Sequence, residues 1–92
     1  MKLAVVGSGY VGLVSGACFA EFGYETICID KDEKRIKSLQ LGKCPFYEPG
    51  MEALLSKHIN ETKLLSFSMS IANSIEDADI VFITVGTPSR RL

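Results

Sequence analysis

Three glycines fall within six positions near the start of the chain, in the segment GSGYVG at residues 7–12. The residues before this segment form a short apolar, β-branched run, LAVV, and those after it place apolar side chains at helical spacing. A strand that passes into a helix through such a turn is the first half of a βαβ unit. The segment therefore favours an α/β fold. It suits a phosphate-binding turn, and it also suits a tight turn without a ligand.

The rest of the chain repeats the alternation of strand and helix. We predict strands at residues 3–6, 26–29, 64–68 and 80–85, and helices at residues 11–22, 32–42, 49–58 and 70–75. Such alternation is typical of a parallel sheet. The predicted fold class is α/β, a Rossmann-type doubly wound parallel sheet that is incomplete, with about four strands in the order 3-2-1-4. Because this fold normally continues with a helix and further strands, we expect residues 1–92 to form the N-terminal part of one domain.

The composition argues against several functional classes. A chain of 92 residues that is 47% hydrophobic has room for one small core, and its net charge of -1 gives little support for binding nucleic acid. Nucleic acid is therefore not an expected partner. A membrane is not expected either, because no apolar stretch reaches the length of a bilayer span. A secretory signal is an alternative for residues 2–20, but glycines interrupt that apolar run repeatedly.

The cysteines indicate a reducing compartment. There are three of them, an odd number, and none forms a C-x-x-C pair, so neither a disulfide framework nor a zinc site is expected. Cys28 falls within the second predicted strand and Cys18 within the first predicted helix. Cys18 shares helical spacing with Val11, Val14 and Phe22. We therefore predict that both thiols are buried.

An acidic residue provides a second sign of a nucleotide site. Asp30 lies about twenty residues beyond the last glycine of the turn, at the end of the second predicted strand. A carboxylate there can accept both ribose hydroxyls of an adenosine and would repel a 2′-phosphate, which favours NAD. Lys31, Lys34 and Arg35 are close enough in sequence to leave NADP open.

The remaining polar residues of interest have structural interpretations. His58 has no spaced partner ligand and shares a predicted helix with two leucines, so we interpret it as a structural residue. Asp77 and Asp79 flank a turn without a lysine or histidine nearby in sequence, which indicates solvated turn residues. Cys44 lies in a loop without a neighbouring histidine, and no catalytic role is predicted for it.

Four segments taken together make the pattern specific. They are GSGYVGL at residues 7–13, ID at residues 29–30, PFYEPGMEALL at residues 45–55 and FITVGTPS at residues 82–89. In order and spacing they resemble the UDP-glucose/GDP-mannose dehydrogenase family over the whole chain. The pair Tyr10-Val11 and the sequence YEPG are more discriminating than the glycines.

The resemblance implies a cytoplasmic NAD-dependent enzyme that oxidises UDP-glucose to UDP-glucuronate with two NAD. Oxidation of GDP-mannose or of a UDP-N-acetylhexosamine is the alternative, because the sugar-reading residues of the family lie outside these segments. A homo-oligomer is implied for the full-length family. By position, the family's cofactor contacts carry over to Gly7, Gly9, Tyr10, Val11, Gly12, Asp30, Arg35, Val85 and Thr87.

The resemblance also implies what this chain lacks. Family members continue through a central dimerising region and a sugar-nucleotide domain, and the family's catalytic cysteine lies in that part. None of the three cysteines here matches it, so we expect the 92-residue chain to be inactive alone. A non-catalytic nucleotide-binding module remains the second hypothesis. An exposed edge at the fourth strand would favour self-association.

Overall fold

The structure is a computed structural model, and it describes residues 1–84. Helices and strands alternate as predicted. The elements in chain order are β1 (Lys2–Val6), α1 (Tyr10–Glu21), β2 (Glu25–Ile29), α2 (Glu33–Gln40), α3 (Met51–Ser56), β3 (Leu65–Ser68), α4 (Ile71–Ile75) and β4 (Ile80–Ile83). A π-helical segment, Lys57–Glu61, continues α3. The predicted last residue of the fourth strand, Val85, lies outside the described residues.

The four strands form one parallel sheet in the order β3-β2-β1-β4, which confirms the predicted topology. Val6 at the end of β1 is in register with Ile29 of β2 and with Ile83 of β4. The carboxyl ends of these strands therefore share one edge of the sheet. After β3 the chain crosses back to the far side of β1, so the order reverses between β1 and β4, and open α/β sheets bind ligands at such a switch point.

Helix α1 packs against the sheet through its small residues, contrary to the predicted large apolar face. Val11 is 62% exposed and Phe22 is 76% exposed, and the Cys18 thiol is also exposed, so the prediction of a buried Cys18 is wrong. A Cβ atom on Gly16 would lie 2.5 Å from Sγ of Cys28. The buried residues of α1 are Gly12, Leu13, Gly16, Ala17 and Ala20. Small side chains let this helix approach β2 closely, and Val11 and Phe22 lie outside the contact.

The core lies between the sheet and helices α1, α2 and α3. Its buried side chains are Val5, Leu13, Ala17, Ala20, Cys28, Ile36, Leu39, Met51, Leu55, Leu65 and Phe67. Helix α4 contacts β1 and β2. Because parallel crossovers are right-handed and the chain reverses direction after β3, α4 covers the opposite face of the sheet.

Local features mark the start of α2 and the end of α1 where the sequence predicts them. The Asp32 side chain caps α2 by accepting a hydrogen bond from the Arg35 amide at 3.1 Å. Gly23 follows α1 with φ of +99°, a conformation that favours glycine. Gly23 thus ends α1 just before β2 begins, and Asp32 sets the start of α2 at the carboxyl edge.

His58 links two helical segments, in agreement with the structural interpretation. Its ring is buried, with Nε2 2.7 Å from Oε1 of Glu21 and Nδ1 2.8 Å from Oγ1 of Thr62. Hydrogen bonds from His58 and Lys57, together with the charge of Lys57, lower the pKa of Glu21 below its ordinary value. The contact joins the end of α1 to the π-helical segment.

The turn before β4 is tied to the start of β1 at the amino edge of the sheet. Asp79 accepts a hydrogen bond from the Lys2 amide at 2.7 Å, and Nζ of Lys2 lies 3.3 Å from the carboxylate of Asp77. Both carboxylates are exposed, in agreement with the interpretation of solvated turn residues. The sequence did not indicate their contacts with Lys2, because sequence proximity does not reveal a partner on another strand.

Among the helices of residues 1–84, none combines the length and the apolar character that crossing a bilayer requires.

Candidate functional site

The glycine turn begins directly after β1. Gly7 has φ of +104°, and its amide donates a hydrogen bond of 2.7 Å to the carbonyl of Ile29. Gly9 is the N-cap residue directly before α1, and its carbonyl accepts the Leu13 amide at 2.9 Å. The first turn of α1 contains no acidic residue, and no side chain caps it. The positive end of this 12-residue helix therefore faces the carboxyl edge of the sheet, and no acidic side chain of its own first turn balances it.

Gly9 and Gly12 differ in the space around them. A Cβ atom on Gly12 would overlap the carbonyl oxygen of Gly7 and lie 2.5 Å from Oγ1 of Thr84. A Cβ atom on Gly9 would meet none of the described residues within 4 Å. Gly12 thus allows α1 to pack on the turn, while the backbone at Gly9 borders open space at the helix N-terminus. In a pyrophosphate-binding turn, one glycine likewise allows close helix packing and another lets the phosphates approach the backbone.

Thr84, at the end of the neighbouring strand, holds the turn, and its role was not predicted from the sequence. Its hydroxyl lies 2.9 Å from the carbonyl oxygen of Val6 and 3.0 Å from that of Gly7, and it donates its proton to this pair of acceptors. Its amide also donates to Val6 at 2.8 Å. A threonine directly after an apolar strand is the only signal in the sequence, and it becomes informative once β4 is known to lie beside β1.

Asp30 lies at the same edge, at the end of β2. Its Oδ2 accepts the amide of Ser8 at 2.9 Å and the hydroxyl of Ser8 at 2.8 Å, while its Oδ1 accepts the Asp32 amide at 2.9 Å. Nη1 of Arg35 is 3.5 Å from Oδ2. Burial opposes the charge on Asp30, but hydrogen bonds from Ser8 and Asp32 and the charge of Arg35 outweigh it and lower the pKa of Asp30. The carboxylate is therefore ionised at neutral pH.

A groove of about 230 Å³ lies beside Asp30. Apolar side chains from both neighbouring strands and from α4 form its walls, and the glycine turn forms one end. The lining residues are Val6, Gly7, Ile29, Asp30, Lys31 and Ile71. An apolar slot with a carboxylate at its mouth suits a flat aromatic base joined to a ribose.

The loop between α2 and α3 reaches the first turn of α1. The hydroxyl of Tyr10 donates a hydrogen bond of 3.1 Å to Oε1 of Glu48, and the rings of Tyr10 and Phe46 lie 5.1 Å apart. The hydrogen bond with Glu48 and the negative charge of Glu48 raise the pKa of Tyr10 above its ordinary value. Tyr10 therefore connects the glycine turn to the segment that contains YEPG.

The structure brings most of the predicted contact residues together. Gly7, Gly9 and Gly12 form the turn, with Asp30 and Arg35 on the adjoining strand end and helix. Tyr10 and Val11 occupy the first turn of α1, and both are more than half exposed. Val85 and Thr87 lie outside the described residues. Within residues 1–84, no group of three or more His, Cys, Asp or Glu side chains is arranged to hold a metal ion.

A glycine turn at the switch point, a free helix N-terminus and an ionised carboxylate at the end of β2 define an α/β dinucleotide-binding domain. The chain belongs to the UDP-glucose/GDP-mannose dehydrogenase family, since the model of that family's NAD binding domain matches residues 1–92. This finding confirms both the family resemblance and NAD as the cofactor.

Individual proteins agree with the family match. The chain is 46% identical over 91 residues to a UDP-glucose 6-dehydrogenase of Rhizobium meliloti, covering 99% of this chain and 21% of the relative. It is 49% identical over 87 residues to UDP-glucose 6-dehydrogenase TuaD of Bacillus subtilis, covering 95% of this chain and 19% of the relative. The solved structure of a GDP-mannose dehydrogenase of Pseudomonas aeruginosa matches with a TM-score of 0.92 and 38% identity, over 99% of this chain and 21% of that one. The chain thus spans about a fifth of the length of these relatives.

Proposed function

We propose that NAD binds along the carboxyl edge with its pyrophosphate at the N-terminus of α1. Gly7, Gly9 and Gly12 let the backbone approach the phosphates. Tyr10 and Val11 supply the first-turn amides and side chains beside them. The observation that carries this proposal is the open space at Gly9, directly in front of an uncapped helix N-terminus. Val85 and Thr87 remain predicted contacts from the family resemblance.

In this proposal the adenosine occupies the groove beside Asp30. The carboxylate accepts a hydrogen bond from a ribose hydroxyl, and Arg35 lies next to it at the ribose edge. The lowered pKa of Asp30 supports a preference for NAD, because an ionised carboxylate repels the 2′-phosphate of NADP. The positive charge of Arg35, 3.5 Å from that carboxylate, weakens this repulsion in part. We therefore expect NADP to bind more weakly than NAD without being excluded.

For the whole protein that contains this domain, we propose oxidation of UDP-glucose to UDP-glucuronate with two NAD in the cytoplasm. The reaction is supported by two relatives that are named UDP-glucose 6-dehydrogenases. The compartment is supported by the three free thiols, which suit a reducing environment. When bound, NAD accepts the hydride removed from the alcohol. Oxidation of GDP-mannose is the second candidate, favoured by the similarity to the solved GDP-mannose dehydrogenase.

We propose that residues 1–92 bind NAD without turnover. Cys28 is buried, and burial raises the pKa of its thiol to about 12, which makes it unsuitable as a nucleophile. The family resemblance implies that neither Cys18 nor Cys44 matches the catalytic cysteine of the family. The proposal also includes self-association through β4, whose Ile83 is 66% exposed and which pairs only with β1 among the described strands.

Calorimetric titration with NAD and NADP tests the binding proposal. The unmodified protein should bind NAD more tightly than NADP, and Asp30→Asn should reduce that difference. Equal affinity for the two dinucleotides, or no binding of NAD, would contradict it. Mixing the protein with NAD and UDP-glucose tests turnover, since sustained formation of NADH would overturn the proposal of an inactive chain. Light scattering of the same sample reports self-association.

A further inference from the structure

Ser8 makes contacts that neither the glycine motif nor the family match explains. It lies between Gly7 and Gly9, and its side chain is completely buried. Its amide and its hydroxyl both donate to the same atom, Oδ2 of Asp30, at 2.9 Å and 2.8 Å. A main-chain donor and a side-chain donor on one carboxylate oxygen hold that oxygen in one place.

The two oxygens of Asp30 are consequently unequal. Oδ2 has two donors from Ser8 and a guanidinium nitrogen of Arg35 at 3.5 Å, which fills the positions where an oxygen accepts hydrogen bonds. Among residues 1–84, Oδ1 accepts the Asp32 amide alone at 2.9 Å, which leaves it an accepting position. Oδ1 is therefore the oxygen of Asp30 that has room for a ligand, and Ser8 supplies two of the donors that occupy Oδ2.

We propose that Ser8 is a positioning residue that turns Oδ1 of Asp30 toward the ribose and keeps the charge of Asp30 beside the 2′ position. The inference rests on the proposed binding of NAD at this edge. It assigns Ser8 a part in the selectivity for NAD over NADP, because a carboxylate that is held cannot turn away from a 2′-phosphate. Without the hydroxyl, one of the two hydrogen bonds that Ser8 donates to Oδ2 is lost and the side chain of Asp30 can move.

The test compares Ser8→Ala with the unmodified protein in titrations with NAD and with NADP. Ser8→Ala removes one hydrogen bond to a charged group, so we expect NAD to bind about tenfold more weakly. The affinity for NADP should fall much less, so that the Kd for NADP divided by the Kd for NAD becomes smaller. A loss of structure alone would weaken both ligands equally. Ser66→Ala, an exposed serine on β3, is the matched control and should leave both affinities unchanged.

A double-mutant cycle with Asp30→Asn isolates the contact. Ser8→Ala should weaken NAD binding in the unmodified protein and have little further effect when Asn replaces Asp30. If Ser8→Ala does not fold by circular dichroism, Ser8→Cys replaces the hydroxyl with a weak donor of similar shape, and the same fall in selectivity is expected.

The outcomes separate this inference from the proposed function. If the unmodified protein binds no NAD, the proposed function fails and the role of Ser8 fails with it. If the unmodified protein binds NAD but Ser8→Ala binds NAD and NADP with unchanged selectivity, only the role of Ser8 is overturned. An additive effect of the two substitutions would also overturn it.

Discussion

The position of Gly12 against Gly7 leaves no room for a side chain, because a Cβ atom on Gly12 would overlap the carbonyl oxygen of Gly7. The obstacle is backbone held between β1 and β2, and Gly7 itself donates to Ile29 at 2.7 Å. The contact therefore cannot be relieved by rotating a flexible side chain. It sets how closely α1 approaches the sheet, and with it the direction of the helix N-terminus.

Replacing Gly12 with alanine should destabilise the protein. Alanine favours a helix by about 0.5–1 kcal/mol relative to glycine, but overpacking against fixed backbone costs about 1–3 kcal/mol or more. We expect a clear fall in Tm for Gly12→Ala in thermal unfolding. A Tm equal to that of the unmodified protein would show that α1 can move away from Gly7 without cost.

Replacing Gly9 with alanine should separate binding from stability. Gly9 has φ of -72°, which alanine adopts readily, and the added Cβ meets no atom of residues 1–84 within 4 Å, so Tm should be nearly unchanged. The same Cβ enters the space where we place the pyrophosphate, so NAD should bind at least about tenfold more weakly, a difference of about 1.4 kcal/mol. Calorimetry on Gly9→Ala checks this, and an unchanged dissociation constant would argue against a phosphate at Gly9.

Thr84→Val should loosen the glycine turn. It removes the hydroxyl that lies within 3.0 Å of the Gly7 carbonyl oxygen while keeping the shape of the side chain. Loss of this hydrogen bond should lower the free energy of unfolding by about 1 kcal/mol in urea denaturation. Thr84→Ser keeps the hydroxyl and serves as the control. Equal stability of the valine and serine variants would mean that the hydroxyl contributes nothing.

The thiols of Cys18 and Cys28 should differ in reactivity. The buried Cys28 has its pKa raised to about 12 from an ordinary value of 9.0. A thiol reagent at pH 8 should modify the exposed Cys18 and leave Cys28 intact until the protein unfolds, as mass spectrometry of digested samples would show. Because the pKa of Cys28 is raised on folding, its contribution to stability is complete below pH 9 and declines as pH rises toward 12. Modification of Cys28 as rapid as that of Cys18 would contradict its burial.

The contact between Tyr10 and Glu48 should be visible in a pH titration. Its hydrogen bond and charge raise the pKa of Tyr10, so the contact stabilises the folded state below pH 10 and is lost as pH rises through the raised pKa. Glu48→Gln removes the charge and should move the titration of the Tyr10 ring, followed by NMR, toward lower pH. Glu52→Gln is the control, because the Glu52 carboxylate accepts the Cys44 amide instead. An equal titration in both variants would argue against the contact.

Local patterns in the sequence were enough to predict the topology and much of the site. The turn at residues 7–12 and Asp30 each lie at the end of a strand, so a parallel sheet necessarily brings them to one edge. Thr84 was missed because its partner Gly7 is 77 positions away in the sequence. Ser8 was missed because its role depends on a contact with the side chain of Asp30. The exposure of Phe22 was missed because helix packing here follows the smallest residues, whereas periodicity of large apolar residues indicated another face.

The most direct test of the proposed NAD site is an NMR titration of the amide resonances with NAD. We predict that the largest shifts fall on the amides of residues 8–12, in front of α1, and of residues 30–32, beside the ribose. Asp30→Asn should reduce the shifts at residues 30–32 more than those at the glycine turn. Shifts confined to other parts of the protein, or none at millimolar NAD, would contradict the proposed binding site.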